Sequence, residues 1–255
     1  MPLEIVTVPC RADNYAYAIH DPASGQTAVV DVPDAAPILA VLANRGWQLS
    51  DIWITHHHGD HTDGVAALKA ATGARVVGNA DDAHRLPPLD LGLTPGMTLT
   101  IGAAPVHVMD VSGHTVGHIA FHIPSALAAF TADSLMACGC GRMFEGTAPM
   151  FWASLSRLAA LPSDTQVFSG HEYTTANIRF ALSLEPDNPA LISRASEVEA
   201  LRREGRPTVP SSLAQELATN PFLRANLASI KAAIGLPGAT DAEAFAAIRA
   251  RKDKF

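Results

Sequence analysis

The sequence predicts an α/β domain over residues 1–173 and a helical domain over residues 174–255. The first observation is that short apolar runs alternate with helical stretches as far as residue 173. The second is that the apolar spacing becomes helical after His171, with proline-rich joints such as RPTVP. The third is the composition, 48% hydrophobic and 17% charged over 255 residues, which is typical of a globular protein.

Turn-forming residues divide the first domain into its elements. The predicted strands are, in chain order, LEIVTV, NYAYAIH, QTAVVDV, DIWIT, ARVVGN, MTLTIG, APVHVMDV, HIAFHI, ALAAFTA and TQVFSG. The predicted helices are DAAPILAVLANRG, HTDGVAALKAAT and MFWASLSRLAAL, followed in the second domain by TTANIRFALSLE, PALISRASEVEALRREG, SSLAQELATN and DAEAFAAIRARKDKF. The terminal glycine of the first helix suits a C-cap.

Charge and composition argue against several classes of protein. The net charge is −7 and the one basic cluster is the terminal RARKDKF, which argues against a nucleic-acid partner. No apolar run approaches the ~20 residues of a membrane span, and the N-terminus lacks the pattern of a signal peptide. Three cysteines are too few for a disulfide scaffold. We therefore expect a cytoplasmic protein, and a monomer.

The stretch THHHGDHTDG, residues 55–64, concentrates metal ligands directly after a predicted strand. Alternate side chains of an extended segment point the same way, so His56 and His58 can converge on one ion while His57 faces away. Asp60 and His61 follow at the turn and helix start, where they can reach a neighbouring ion. Imidazole suits zinc and iron, and carboxylate adds compensating charge.

Three more candidate ligands, His114, Asp133 and His171, each follow an apolar run. A sheet would deliver such loops to one edge. The resulting seven ligands suffice for two divalent ions if Asp133 bridges them. One ion would lie among His56, His58 and His114, and the other among Asp60, His61 and His171. Zinc is the first choice of metal, with iron and manganese as alternatives.

Other histidines and cysteines carry less weight. His118 is either a hydrogen-bond partner of a ligand or a buried structural histidine, and the sequence leaves both open. Cys138 and Cys140 lie in CGC and are assigned to packing, because two thiolates alone make a weak metal site.

THHHGDHTDG resembles the His-x-His-x-Asp-His signature of the metallo-β-lactamase superfamily, and SGHTVGH, FTADS and GHEYT match its later ligand loops in order. The segments GCGRMFEGT, GHEYTTANIRFALSLEPDN, TVPSSLAQELATNPFLR and RARKDKF narrow the resemblance to the glyoxalase II (hydroxyacylglutathione hydrolase) family. The resemblance implies a four-layered αββα sandwich with a C-terminal helical domain and a two-metal centre bridged by Asp133. It also implies hydrolysis of S-D-lactoylglutathione to D-lactate and glutathione, the second step of methylglyoxal detoxification.

The same resemblance places glutathione contacts at Tyr173, Arg249, Lys252 and the GRMF segment. That segment carries Arg142 and Phe144 where the family commonly has Lys and Tyr. Arg142 keeps the positive charge, whereas Phe144 has no hydroxyl, and one lost hydrogen bond costs about 0.5–1.5 kcal/mol. We therefore expect weaker glutathione binding with unchanged chemistry.

The residues suit this chemistry. Two ions can share a hydroxide near neutral pH, and Asp60 can serve as ligand and as acceptor of the hydroxide proton, which makes it the catalytic candidate. Arg249 and Lys252 lie three apart in a predicted helix and can hold the carboxylate at the glycine end of glutathione.

Three competing functions are a persulfide dioxygenase with one iron, a non-catalytic metal-binding protein and a nuclease. The long helical C-terminal segment and the complete ligand set for a second metal argue against the dioxygenase. The complete ligands also argue against a non-catalytic protein. The lack of a basic arm argues against the nuclease.

Overall fold

The structure, a computed structural model, describes residues 2–255. The chain forms two compact units: residues up to Asp110 with 117–130, and residues 111–116 with 131–255. The short segment that carries His114 therefore belongs to a different unit from the strands on either side of it. The domain boundary expected at residue 173 stays a prediction.

The first unit contains a six-stranded sheet in which strand order follows chain order. Its strands are β1 (Glu4–Cys10), β2 (Asn14–His20), β3 (Thr27–Val30), β4 (Asp51–Trp53), β5 (Arg75–Asn79) and β6 (Leu91–Leu93). β1 to β3 are antiparallel, and β3 to β6 are parallel. Parallel neighbours need long connections, which here contain α1 (Ala35–Arg45) between β3 and β4, and α2 (Gly59–Thr62) and α3 (Val65–Thr72) between β4 and β5.

A second set of strands is antiparallel throughout: β7 (Thr98–Ile101), β8 (Ala104–Asp110), β9 (Ile119–Ile123) and β10 (Ala128–Ala132). The last two residues of β10 belong to the second unit. The two sets of strands meet through aromatic pairs, with Tyr17 5.6 Å from Phe130 and Trp53 5.2 Å from Phe121 between ring centroids. α1 and α3 pack on the other face of the first sheet through side chains such as Ile38. The unit therefore has a helix layer and two strand layers.

The helix predicted over HTDGVAALKAAT is interrupted, which is a correction to the sequence prediction. α2 ends at Thr62, and α3 begins at Val65 after Gly64. The Gly64 N–H donates to the carbonyl of Val32 at 2.9 Å, and a Cβ on Gly64 would lie 2.7 Å from a Val32 methyl group. The close approach of another backbone segment therefore requires glycine here and breaks the helix.

The second unit is mainly helical. Its elements are β11 (Leu135–Met136), β12 (Gly139–Cys140), α4 (Ala148–Ala159), β13 (Gln166–Ser169), α5 (Thr174–Leu184), α6 (Pro189–Arg203), β14 (Ser211–Ser212), α7 (Leu213–Thr219), α8 (Ala228–Ala233) and α9 (Asp241–Lys252). The five helices predicted after residue 147 are present with shifted ends, whereas α8 and the two-residue strands were not predicted. Within residues 2–255, no helix combines the length and apolar character needed to cross a membrane.

A buried polar network joins α6 and α7 to the hairpin of β11 and β12. Arg194 is 4% exposed and Glu216 is fully buried, and they form an ion pair. The other Glu216 oxygen accepts from the backbone N–H of Cys138 at 2.8 Å and from the Asn220 amide at 2.9 Å. Asn220 also donates to the carbonyl of Gly139 at 2.9 Å. The helices therefore fix the chain between Asp133 and Arg142 through charged and polar groups.

Candidate metal centre

The first group of candidate ligands follows β4. His56 is 1% exposed, and its Nε2 lies 3.1 Å from Nδ1 of His58. Two nitrogens on one tetrahedral zinc would be separated by about 3.3 Å, given zinc–nitrogen bonds of about 2.0–2.1 Å. His57 points elsewhere, with its Nδ1 3.4 Å from the Asp82 carboxylate. The spacing of His56 and His58 therefore suits a shared ion.

His61 is held by a carboxylate that sequence reasoning did not single out. Its Nδ1 lies 2.8 Å from Oδ2 of Asp31, and the same carboxylate accepts from the backbone N–H and the hydroxyl of Thr55. Ligand atoms of Asp31, His56 and His61 all lie within 4.8 Å of one another. Since Nδ1 of His61 faces Asp31, its Nε2 is the atom available to a metal. The one available signal was an aspartate at the end of the apolar run TAVVD.

Asp60 is oriented by Asn14, which lies at the start of β2. The Asn14 side-chain amide donates to the Asp60 backbone carbonyl at 3.0 Å and to Oδ2 of its carboxylate at 3.2 Å. That oxygen lies 3.8 Å from Nε2 of His61. Asn14, which is 4% exposed, therefore fixes both the main chain and the carboxylate of the candidate catalytic residue.

The second group lies in the second unit and is centred on Asp133. Its Oδ2 is 3.6 Å from Nε2 of His114 and 3.3 Å from Nε2 of His171. All three residues are at most 6% exposed. Two imidazoles thus present the same nitrogen to one carboxylate oxygen.

The segment after β12 supports this second group. Nδ1 of His114 lies 2.8 Å from the carbonyl oxygen of Arg142, and the backbone N–H of Gly141 donates to the carbonyl of Asp133 at 3.0 Å. A Cβ on Gly141 would lie 2.2 Å from the Asp133 carbonyl oxygen and 2.7 Å from Nδ1 of His114. Glycine is therefore required where the main chain passes between the two ligands.

We predict that Gly141→Ala lowers metal affinity by about 10–100-fold, because the added methyl group displaces partners of His114 and Asp133. Titration of the metal-free protein with zinc against a competing chelator measures this. Gly238→Ala is the matched control, since a Cβ there meets nothing within 4 Å. Wild-type affinity in the Gly141 variant would contradict the close contact seen here.

The donor set fits divalent ions. His61 and His114 each have Nδ1 fixed by an oxygen, so that Nε2 is the nitrogen offered to a metal, as is usual for metal-binding histidines. Buried carboxylates accompany these imidazoles in both units. Nitrogen and oxygen ligands of this kind suit zinc, iron or manganese.

The three cysteines do not extend this donor set. Burial raises the pKa of Cys138 to about 12 and that of Cys140 to about 11. Burial also raises the pKa of Cys10 to about 11. Cys138 and Cys140 are at most 4% exposed, which favours the packing role expected for these two residues from the sequence.

His118 is fully buried and touches a candidate ligand. Its ring stacks on that of His56, with centroids 4.5 Å apart and planes 12° from parallel. Its Nδ1 lies 3.2 Å from the carbonyl oxygen of Ile119. His118 thus supports the orientation of the His56 ring by packing.

Of the residues expected to contact glutathione, three are exposed. The Tyr173 ring is 39% exposed and stacks on His171 at 4.6 Å. Phe144 is 62% exposed, and its ring is edge-on to His114 at 5.4 Å. Arg142 has an exposed side chain with its Nε 3.7 Å from a carboxylate oxygen of Asp253. All three side chains can reach a molecule outside the fold.

Arg249 and Lys252 differ from each other in exposure. Lys252 Nζ donates to the carbonyl of Ala176 at 3.1 Å, and partial burial, followed by the nearby charge of Arg249, lowers its pKa. Arg249 is only 5% exposed, and its guanidinium donates to the carbonyl of Cys140 at 2.8 Å. The expected assignment of Arg249 to glutathione stays a prediction, but its donors face protein groups.

The fold and the histidine–aspartate clusters define the class of protein to which this chain belongs. Residues 15–171 match the model described as the metallo-beta-lactamase superfamily, so the chain is a member of that class. Residues 172–255 match the model described as hydroxyacylglutathione hydrolase C-terminus. Over all of both chains it is 64% identical to the hydroxyacylglutathione hydrolase of Cereibacter sphaeroides strain ATCC 17025. The chain belongs to the hydroxyacylglutathione hydrolase family.

Two solved structures are also similar to the structure of this chain. ETHE1 from Myxococcus xanthus has a TM-score of 0.69 and 25% identity, with 98% of this chain and 90% of that chain covered. TTHA1623, solved in a di-iron-bound form, has a TM-score of 0.62 and 24% identity, with 86% of this chain and 100% of that chain covered. The predicted fold class, a metallo-β-lactamase α/β sandwich with a C-terminal helical region, is confirmed. This fold and its clusters support divalent-metal binding.

Proposed function

We propose that this chain hydrolyses S-D-lactoylglutathione and related glutathione thioesters to D-lactate and glutathione, the second step of methylglyoxal detoxification. The observation that carries the proposal is the 64% identity, over the full length of both chains, to a protein named hydroxyacylglutathione hydrolase. The buried histidine–aspartate groups of both units supply the donors that such a hydrolase requires.

The seven candidate ligands would hold two divalent ions. His56, His58 and His114 would bind one, Asp60, His61 and His171 would bind the other, and Asp133 would contribute to both. Zinc is the first choice, and iron and manganese satisfy the same donors. When bound, such ions lower the pKa of water to about 7 and polarise the carbonyl group that is attacked.

Side chains of the protein orient the metal ligands and accept the proton that the attacking water releases. Asp60 Oδ2 accepts the proton of the attacking water, and Asn14 holds that carboxylate in place at 3.2 Å. Asp31 fixes the ring of His61 at 2.8 Å. The leaving group is a thiolate whose parent thiol has a pKa of about 8.5, so it departs without a dedicated general acid.

We expect the glutathione contacts to lie near His114 and His171. Tyr173 and Phe144 supply exposed aromatic surface beside His171 and His114. Arg142 and Lys252 supply positive charge for the carboxylates, and Arg249 was assigned to the same group from the sequence. Phe144 offers no hydroxyl for a hydrogen bond, which favours a lower affinity for glutathione.

Lys252→Ala is expected to raise KM for S-D-lactoylglutathione about tenfold and to leave kcat nearly unchanged. A lost hydrogen bond to a charged group costs about 1.5–3 kcal/mol, and the partial exposure of Lys252 places it at the lower end. Steady-state kinetics measure both constants. Lys254→Ala, at an exposed neighbouring position, is the control. If KM were the same in both variants, Lys252 would not contact the substrate.

The proposed reaction is tested by kinetics and metal analysis on one sample. The purified protein should release glutathione from S-D-lactoylglutathione without consuming oxygen and should hold close to two ions per chain. Oxygen uptake with glutathione persulfide, in the absence of thioesterase activity, would reverse the assignment in favour of a dioxygenase.

The cytoplasmic location, the monomeric state and the absence of nucleic-acid and membrane partners stay predictions from the sequence. Gel filtration of the metal-loaded protein measures the oligomeric state.

A further inference from the structure

His57 lies between two candidate ligands, His56 and His58, and contacts a charged pair of its own. Its Nδ1 is 3.4 Å from Oδ2 of Asp82, and its Nε2 is 3.5 Å from Nη1 of Arg85. Arg85 also donates through Nε to the other Asp82 oxygen at 2.6 Å. Since arginine only donates, the tautomer of His57 with its hydrogen on Nδ1 satisfies both contacts. The three side chains therefore contact one another beside the ligand segment.

Asp82 is the most buried member of this group. Its side chain is 3% exposed, whereas those of His57 and Arg85 are 18% and 30% exposed. The preceding residue, Asp81, is exposed. A buried carboxylate is costly in free energy unless charged and polar groups surround it. The position of Asp82 is consequently coupled to the positions of His57 and Arg85.

A second contact links Asp82 to the same ligand from another direction. A Cβ on Gly117 would lie 3.0 Å from Cβ of Asp82, so the aspartate packs directly against this glycine. Asn79, at the end of β5, donates its side-chain amide to the Gly117 carbonyl at 2.8 Å. The next residue, His118, stacks on the ring of His56 with centroids 4.5 Å apart. The connection between β5 and β6 therefore reaches His56 through two neighbours, one in sequence and one in space.

The ligand segment is anchored at both ends by its main chain. The backbone N–H of Thr55 donates to the Asp31 carboxylate at 2.9 Å, and the carbonyl of His58 accepts from the N–H of His61 at 2.9 Å. The contact of His57 with the Asp82–Arg85 pair lies between these two anchors. It adds a constraint in the middle of the segment, at the residue that joins the two ligands.

The direction of His57 bears on its neighbours because side chains alternate along an extended segment. With His57 directed at Asp82, the main chain turns His56 and His58 to the opposite side. There Nε2 of His56 and Nδ1 of His58 lie 3.1 Å apart. Metal–ligand distances vary by only about 0.2 Å in well-formed sites. A small twist of the main chain at His57 would therefore impair binding of an ion by both nitrogens.

We propose that Asp82 is a positioning residue of the metal centre, which acts through His57 to direct His56 and His58 at one ion. The inference rests on the proposed function, in which these two histidines bind the same metal. It assigns a role to the connection between β5 and β6, which contains none of the seven candidate ligands.

The test compares Asp82→Asn with Asp81→Asn, which changes the exposed neighbour. Asparagine keeps the size of the side chain and removes its charge. Loss of a partner of a metal ligand weakens binding by about 10–100-fold, and Asp82 acts one residue away from the ligands. We therefore expect Asp82→Asn to weaken one zinc ion by about tenfold in competition with a chelator, and to change the absorption spectrum of the cobalt-loaded protein. Asp81→Asn should keep the affinity and spectrum of the wild type.

A double-mutant cycle with His57→Gln tests the route through His57. We expect His57→Gln to weaken the same ion, and the double variant to lose no more affinity than the larger single change. Additive losses would overturn the route through His57. Thermal unfolding of the metal-free proteins measures stability separately. Lower stability of Asp82→Asn with wild-type zinc affinity and cobalt spectrum would make Asp82 a purely structural residue.

His57→Gln also serves if Asp82→Asn does not fold, because it leaves the Asp82–Arg85 pair intact. Wild-type zinc affinity in this variant would overturn the inference, and weakened affinity would support it. The titrations need no turnover. If the wild-type protein bound zinc but failed to hydrolyse the thioester, the proposed function would fall while the titrations still decided the role of Asp82.

Discussion

Asp133→Asn is expected to lower kcat/KM for S-D-lactoylglutathione by more than about 100-fold and to reduce bound metal in the same sample. Loss of a residue that merely orients a ligand costs about 10–100-fold, so loss of the shared ligand should cost more. Asp133 faces Nε2 of both His114 and His171, at 3.6 and 3.3 Å. The amide keeps the size of the carboxylate and removes its charge, so that the fold is disturbed little.

Kinetics and metal analysis by mass spectrometry check this result. Asp164→Asn, which changes an exposed aspartate in the same unit, should keep both the activity and the metal content of the wild type. Full turnover with a full complement of metal in the Asp133 variant would refute the bridging role.

Arg194→Met should lower the free energy of unfolding by about 3–5 kcal/mol, the cost of breaking a buried ion pair from one side. Glu216 is fully buried, and without Arg194 its carboxylate would lose the charged partner of its ion pair and keep only neutral donors. The loss of stability should extend to the hairpin of β11 and β12, because Glu216 also accepts a hydrogen bond from the backbone N–H of Cys138 in that hairpin.

Urea unfolding followed by circular dichroism measures the change. Arg203→Met replaces an exposed arginine at the end of the same helix and should stay within about 0.5 kcal/mol of the wild type. Equal stability of the two variants would show that the Arg194–Glu216 pair does not hold the helices to the hairpin.

Local patterns explain why much of the fold could be predicted. The strands around DIWIT and the long helices of the second unit repeat apolar residues at a regular spacing. That spacing can be recognised within each segment by itself. The residues of THHHGDHTDG are likewise adjacent in sequence, and the density of imidazole and carboxylate there indicates a metal without any knowledge of the fold. Segments that match a family in order, such as GHEYT, add the distant ligands.

The residues that were missed depend on distant contacts. Asp31 looks like a turn residue until His61, 30 residues later, is brought against it. Gly64 was placed within a helix, because the approach of the Val32 segment is invisible in the sequence. Arg194 has the ordinary appearance of a solvated helix residue, and only the tertiary structure places it beside Glu216. Arg249 was expected to contact glutathione, and only the tertiary structure shows its guanidinium donating to the carbonyl of Cys140.

The buried cysteines have a consequence for an enzyme of this pathway. The thiolate is the nucleophilic form of cysteine, and at neutral pH a thiol with a pKa of about 11 is ionised to roughly one part in ten thousand. Cys10, Cys138 and Cys140 are each at most 4% exposed, so reactive ketoaldehydes meet neither an accessible nor a nucleophilic sulfur. We therefore expect these three thiols to react slowly with such ketoaldehydes.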